Sequence, residues 1–205
     1  MTARADRAAD ARATLESWLT SSGLAWEPGA RAGEYAVTLP GETKLATTAS
    51  VIVGEQSLSV SAFVVRRPDE NHQAFYRWLL ARNLRLPGIA FALDSLGDVY
   101  LVGKLPIAAV TDDAIDHLLG AVLAASDSSF NDLLVLGFLE AMRREWRWRI
   151  DRGESTRNLE AFKHLLEAPD NPGTAEASPP GEPAQPGEPR GGETHTTEAG
   201  PPTSG

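Results

Sequence analysis

The 205-residue sequence contains no cysteine. This absence excludes disulfide cross-links, thiolate nucleophiles and thiolate metal sites. The folded part must therefore be stabilised by the burial of apolar side chains. A domain of about 165 residues is long enough for this, because a chain of that size buries roughly 70% of its unfolded surface.

Long apolar runs are also missing. No apolar stretch reaches the roughly 18 residues of a membrane span, and the first residues alternate charges instead of forming a signal-like apolar segment. We therefore expect a cytoplasmic protein that does not interact with membranes.

Apolar residues larger than alanine are absent from the C-terminal part of the chain. Residues 169–205 hold nine of the 14 prolines and seven of the 18 glycines. Such a segment cannot bury enough surface to offset the entropy of ordering it. We predict a folded domain at residues 1–168 and a disordered Pro/Gly/Glu-rich tail at residues 169–205. Whether the tail binds a partner or drifts freely stays open.

The folded part has little net charge of either sign. The tail carries six acids against Arg190, so five of the nine net negative charges lie outside the predicted domain. A phosphate backbone is normally held by a large positive field, which a nearly balanced domain does not produce. We predict no nucleic-acid partner.

Period-two alternation of apolar residues predicts five strands. They lie at residues 35–39, 45–53, 58–64, 89–93 and 99–101. Short connections that contain glycine join neighbouring strands, as in hairpins. These features predict an antiparallel sheet in which the first three strands pair in sequence order.

Helical apolar stripes occur before, between and after these strands. The predicted N-caps are Asp69, Thr111 and, for a further helix that ends near Gly153, Ser128 or Ser129. A last short helix is expected at residues 158–167. The predicted fold class is α+β, a five-stranded antiparallel sheet with helices packed on one face. The element order is α-β-β-β-α-β-β-α plus a C-terminal helical extension.

The run FYRWLLARNLRLPGIAFALDSLGDVYLVGKLPIAAVTDDAIDHLLGAVL, residues 75–123, resembles the YbjN-domain family. That family shows a helix ending near an asparagine, a hairpin, a Leu-Pro step and a capped helix. The matching positions here are Asn83, Asp94, Gly97, Leu105, Pro106 and Thr111. The chain is similar to an actinobacterial-type member, and its element order resembles that of the dimeric type III secretion chaperones.

The resemblance implies a type III secretion chaperone-like fold and a non-enzymatic, homodimeric protein. It also implies chaperone-like protein binding or a role as a sensory-transduction regulator. The family offers no catalytic residues that could be carried over to this sequence.

Residues able to carry chemistry form no recognisable site in the sequence. Asp113, Asp116 and His117 are spaced to share a helical face, as metal ligands would be, but acids in a first turn also stabilise the helix dipole. No Gly-x-Ser-x-Gly, phosphate-binding loop or dinucleotide fingerprint occurs. We predict no enzymatic activity, no catalytic residue, no metal and no cofactor.

The stretch RREWRWRI, residues 143–150, is the first candidate protein-binding surface. Trp146 continues the apolar stripe of its helix and is expected in the core. Arg143, Arg147, Trp148 and Arg149 then point to solvent or to a partner, and arginine and tryptophan are enriched at interface hot spots.

Ile52 is the second candidate. Its strand carries apolar residues on one face and Thr48, Ser50 and Ile52 on the other. The second face could contact a partner or face water.

The sequence thus predicts a non-enzymatic protein-binding domain, chaperone-like or an adaptor or regulator, acting as a homodimer on an unidentified protein or peptide. The alternative is a small-molecule-responsive sensory or signal-transduction regulator, or a cryptic hydrolase that uses the aspartates. A protein retained on purification would favour the first, whereas metal content or ligand-dependent melting would favour the second.

Overall fold

The structure, a computed structural model, describes residues 2–167. Its helices are α1 (Thr2–Ser22), α2 (His72–Asn83), α3 (Asp112–Arg152) and α4 (Lys163–Leu166), with 3-10 helices at Ile107–Ala109 and Arg157–Phe162. Its strands are β1 (Ala25–Pro28), β2 (Glu34–Pro40), β3 (Ala46–Val53), β4 (Ser57–Val65), β5 (Ile89–Leu93) and β6 (Val99–Pro106). The tail predicted to be disordered lies outside the described residues.

One antiparallel sheet contains all of these strands in the order β1-β2-β3-β4-β6-β5. The α+β class and the antiparallel sheet are confirmed, but the predicted number of five strands is wrong, because the sheet has six. The strand that was missed is β1, which pairs with β2. Its four residues, AWEP, are too few to show an alternating pattern.

The helices pack on one face of the sheet. α3 crosses β4 and β6, α1 lies against α3 and β3, and α2 packs between α3 and β5. Fully buried side chains from both layers, including Leu15, Val51, Phe75, Leu101 and Leu133, form the main core. Their burial supplies the apolar stabilisation that a chain without cysteine requires.

α3 is a single helix of 41 residues. Its predicted ends are confirmed: Thr111 Oγ1 accepts from the Ala114 amide at 3.2 Å, and Gly153 closes the helix at φ 65°. The predicted break at Ser128 or Ser129 is wrong. Both serines continue the helix, and the neighbouring Ser126 is buried with its Oγ 2.9 Å from Thr47 Oγ1 on β3.

The predicted N-cap at Asp69 is also wrong, because Asn71 holds that position. Asp69 instead accepts two hydrogen bonds of 2.6 Å from the guanidinium of Arg66. This pairing lowers the pKa of Asp69, chiefly through the hydrogen bonds and then through the charge of Arg66.

The segment before α2 contacts the middle of α3 closely. The Asp69 and Glu70 amides donate to the Gly137 carbonyl, and the Glu140 amide donates to Glu70 Oε1 at 2.8 Å. Gly137 has no side chain at the point where Pro68 and Phe75 approach the helix. Its lack of a Cβ allows this close approach between α2 and α3.

The C-terminal half of α3 has its own small core. Met142 and Trp146 are buried against Leu159, Phe162 and Leu166. The predicted core position of Trp146 is confirmed. The short helix expected at residues 158–167 forms as a 3-10 turn followed by α4.

α3 is also long and apolar enough, by length and composition alone, to cross a membrane. The core helix of a globular protein passes the same test, and α3 packs against the sheet, so this is weak evidence for a span. The expectation that no segment reaches this length holds only for uninterrupted apolar runs.

Two glycines of α3 test the packing against α2. An added Cβ at Gly137 would lie 2.8 Å from Pro68 Cβ, whereas Gly120 has no atom within 4 Å. We expect Gly120→Ala to raise the free energy of unfolding by about 0.5–1 kcal/mol through helix propensity. We expect Gly137→Ala to lower it by about 1–3 kcal/mol through overpacking. Urea denaturation measures both, and equal stabilisation would contradict the close approach at Gly137.

Tyr35 makes the free energy of unfolding depend on pH in the alkaline range. Burial, and then the hydrogen bond that its hydroxyl donates to Glu16 Oε1 at 2.6 Å, raises the pKa of Tyr35 to about 12. The unfolded chain ionises this phenol near pH 10. The native contact is therefore fully stabilising below that pH, and its contribution falls as the pH rises from about 10 to about 12. The free energy of unfolding of Tyr35→Phe should fall less steeply over this pH window than that of the unaltered chain. Parallel curves of unfolding free energy against pH would contradict this role of the Tyr35 hydroxyl.

Candidate functional site

The sheet face opposite the helices is not covered by any of the described residues. We call this surface the open face. Strand register places twenty residues on it: Ala25, Glu27, Glu34, Ala36, Thr38, Pro40, Ala46, Thr48, Ser50, Ile52, Ser57, Ser59, Ser61, Phe63, Ala90, Ala92, Tyr100, Val102, Lys104 and Pro106. Antiparallel sheets commonly leave one face to water or to a partner.

The open face is low in charge and mostly flat. Its charged side chains are Glu27, Glu34 and Lys104, and alanine, serine and threonine occupy most other positions. Ile52 and Phe63 project from it, at 43% and 42% exposure. Phe63 packs edge-on to Tyr100 with 5.6 Å between ring centroids. The sequence-predicted position of Ile52 is therefore on a broad surface of small side chains.

Lys44 lies at the rim of the open face. Its Nζ donates to the Phe63 carbonyl and lies 5.5 Å and 5.8 Å from the ring centroids of Phe63 and Phe130. Burial lowers the pKa of Lys44. The Thr43 and Lys44 amides donate to Asp127 Oδ1, both at 2.9 Å. These contacts fix the β2–β3 hairpin to α3, which explains Lys44 without a catalytic role.

The outer edge of β5 is closed by Asn83, at the end of α2. Its Nδ2 donates to the Phe91 carbonyl at 3.2 Å, and its Oδ1 accepts from the Phe91 amide at 2.7 Å. The side chain thereby occupies two central backbone groups that an added strand would use. β1, at the other edge, is short and ends at Pro28, which has no amide hydrogen.

The end of α3 carries the second exposed surface, which we call the helix-end patch: Arg147, Trp148, Ile150 and Arg152. Trp148 is 46% exposed and Ile150 57% exposed. The Arg152 guanidinium lies 5.1 Å from the centroid of a Trp148 ring. Arg147 is exposed. The predicted Arg147 and Trp148 are thus both exposed near the end of α3.

Arg143 and Arg149, also predicted as binding residues, are held within the chain. Arg143 donates to Glu140 at 2.8 Å and to the Leu165 carbonyl, and its side chain is 16% exposed. Arg149 donates to Glu145 at 2.7 Å and to the Ser155 carbonyl at 2.8 Å. Both guanidiniums therefore attach the C-terminal segment to α3.

The residues considered for metal binding make a local helical contact. His117 Nδ1 lies 2.7 Å from the Asp113 carbonyl. Among residues 2–167 no group of three or more His, Asp or Glu side chains is arranged to hold a metal ion.

Two depressions border Arg66. One of about 230 Å³ is almost entirely apolar and lies between Arg66, Phe138 and Met142. The other, of about 360 Å³, lies between the Arg66–Asp69 pair, Arg67 and Asp98. The first suits an apolar side chain better than a reaction.

Sequence reasoning did not find two features that define these surfaces. Asn83 carries no local signal of its contact with Phe91, because an asparagine at a helix end has many possible partners. The bonds from Arg143 to the Leu165 carbonyl and from Arg149 to the Ser155 carbonyl were also missed, because they depend on how the segment after α3 folds back onto the helix.

The chain is similar to known proteins in sequence and, at a lower level, in structure. The YbjN family model, described as "Putative bacterial sensory transduction regulator", matches residues 11–134. An uncharacterized protein of Mycobacterium leprae is 52% identical over 142 residues, covering 69% of this chain and 76% of the relative. An uncharacterized protein of Mycobacterium tuberculosis is 52% identical over 138 residues, covering 67% and 75%.

Two solved structures are similar at lower levels. The Yersinia pestis type III secretion chaperone SycH, in complex with a stable fragment of YscM2, has 21% identity and a TM-score of 0.44 over 57% of this chain and 96% of that chain. The heterodimeric ExoU–SpcU complex of Pseudomonas aeruginosa gives 18% identity and a TM-score of 0.43, covering 60% and 96%. TM-scores this low carry no weight for function.

The closure of β5 by Asn83 is testable. Asn83→Ala leaves the Phe91 amide and carbonyl unpaired at the sheet edge, which should cost about 1–3 kcal/mol of unfolding free energy. It should also cause aggregation that increases with protein concentration. Asn131→Ala, at an exposed position of α3, is the matched control and should change stability by less than about 0.5 kcal/mol. Equal stability and solubility of the two variants would rule out this role.

Proposed function

The chain belongs to the YbjN family, and from that premise we propose that it is a non-enzymatic, cytoplasmic protein-binding domain, chaperone-like or adaptor-like, that acts as a homodimer. An adaptor of this kind is compatible with the family's description as a sensory transduction regulator, because regulators pass signals by binding other proteins.

The open face is the observation that carries the proposal. A six-stranded sheet with one bare, weakly charged face offers a surface wide enough for another protein. Both edges of the same sheet are closed to strand addition, by Asn83 on β5 and by the shortness of β1 and its Pro28. Association is thereby directed to the face, and growth along the sheet is suppressed.

The helix-end patch is the proposed contact for the unidentified partner. Trp148 and Arg147 are residue types that contribute much of the binding energy at interfaces, and Ile150 is a further exposed apolar side chain on the same helical turn. Arg143 and Arg149, the other two predicted arginines, are proposed at the border of this surface, where their bonds within the chain hold them in place. Ile52 belongs to the open face.

The partner contact is tested by affinity capture with the full-length chain, followed by mass spectrometry. We expect a protein retained at a stoichiometric level. Trp148→Ala should weaken its retention at least tenfold, because loss of an interface tryptophan commonly costs 2 kcal/mol or more.

Leu84→Ala is the matched control, since Leu84 is an apolar side chain, 90% exposed, at the C-terminal end of α2. It should retain the partner as the unaltered chain does. Equal retention by both variants would reject the helix-end patch. If no protein is retained and a metal or small molecule raises the melting temperature, the proposed function itself is wrong.

A further inference from the structure

We infer that the open face is covered by the open face of a second copy of this chain, related by a two-fold axis that runs parallel to the strands between β3 and β4. This rests on the homodimer of the proposed function and adds the surface, the axis and the facing residues. The support comes from the strand order and from the distribution of large, small and charged side chains over the face.

The strand order is balanced about this axis. Three strands, β1, β2 and β3, lie on one side, and β4, β6 and β5 lie on the other. A two-fold rotation therefore places β3 over β4 of the second copy, β2 over β6, and β1 over β5. Every strand has a counterpart, so two whole faces can stack as packed sheets do.

The central row of the face carries small side chains next to the axis, and it ends in the charged Glu27 on β1 and in Ala90 on β5. Ser50 pairs in register with Ser61 across the axis, with Ala36 beyond Ser50 and Val102 beyond Ser61. The rotation places Ser50 over Ser61 of the second copy and Ala36 over Val102. Small side chains at the axis allow the two backbones to approach closely, and the serine hydroxyls can hydrogen-bond to each other.

The next row joins large side chains on one half to small ones on the other. Phe63 on β4 and Tyr100 on β6 are neighbours in register. The corresponding positions on β3 and β2 are Thr48 and Thr38, which are also neighbours. The rotation places each aromatic ring over a threonine of the second copy, so protruding and recessed positions match.

The row on the other side of the centre pairs opposite charges. Lys104, Ser59, Ile52 and Glu34 are successive neighbours across β6, β4, β3 and β2. The rotation places Lys104 over Glu34 and Ile52 over Ser59. Binding of a partner without this symmetry would not require Lys104 and Glu34 to lie at equal distances from the axis.

The area of the face predicts a dimer of limited strength. Six strands spaced about 4.8 Å apart, each about seven residues long at about 3.4 Å, give roughly 700 Å² per copy. The total of roughly 1,400 Å² is in the lower half of the range for specific interfaces. Packed sheets also cross at about −30°, so the match is closest near the axis. We expect a dimer that dissociates on dilution through the micromolar range.

Disulfide capture tests the axis, since the chain has no cysteine of its own. Full-length Ser50→Cys and Ser61→Cys chains, mixed in equal amounts and mildly oxidised, should form the mixed disulfide dimer as the major product. Ser50→Cys mixed with Asn131→Cys should give at least tenfold less, because Asn131 lies on α3 at the helical side. Equal yields from the two mixtures would overturn the axis.

Light scattering tests the face independently. The unaltered chain should show twice its mass of 21.9 kDa at about 100 μM, and Ser61→Arg should show the single mass with an unchanged circular dichroism spectrum. Asn131→Arg, the matched control, should stay dimeric. Lys104→Glu should weaken the dimer severalfold, and Glu34→Lys added to it should restore the affinity.

These experiments distinguish failure of the inferred face from failure of the proposed homodimer. If the unaltered chain is dimeric, Ser61→Arg leaves it dimeric and the cysteine mixtures do not differ, the proposed homodimer stands and the inferred face is wrong. If the unaltered chain stays monomeric, both fail. If Ser61→Arg abolishes capture of another protein by a monomeric chain, the face binds that protein and not a second copy.

Discussion

Burial of one sheet face by α3 is the interaction on which the rest of the structure depends. The strands present valine, leucine and tyrosine to α3 and α1, and mainly alanine, serine and threonine to the other side. Because the helices all gather on the apolar side, the opposite side stays bare. The continuous course of α3, with Ser126 bonded to Thr47, holds this layer in place and then carries the chain beyond the sheet to the helix-end patch.

Local signals were sufficient to predict much of this arrangement. The cap at Thr111, the stop at Gly153 and the buried position of Trp146 each depend on neighbours within one or two helical turns. The predictions were wrong where the role of a residue depends on a contact with a residue far away in the sequence. Asp69 has the features of an N-cap, but its carboxylate binds Arg66 and its amide binds the Gly137 carbonyl of α3.

At the candidate surfaces, too, local patterns were predictable and contacts distant in sequence were not. Exposure of Trp148 could be predicted from the helical stripe that buries Trp146, whereas the C-terminal segment that holds Arg143 and Arg149 could not. β1 adds the sixth strand and makes the strand order symmetric about the midline of the sheet. A four-residue strand has no readable period, so the symmetry of the open face became visible only in three dimensions.

The sheet has protected edges and one open face. A bare sheet is an aggregation hazard when strands can be added at its edges, and Asn83 prevents this at β5 by binding both backbone groups of Phe91. Association is then confined to the face, where matching shapes and charges select one orientation. The helix-end patch lies on a different part of the fold and is left for another protein.

The central claim is that the open face is covered by protein when the chain is at working concentration. Hydroxyl-radical footprinting of the full-length chain over a range of concentrations measures this most directly. The account predicts that labelling of Phe63 and Tyr100 falls as the concentration rises, while labelling of the highly exposed Leu84 stays constant. Constant labelling of all three side chains would contradict it.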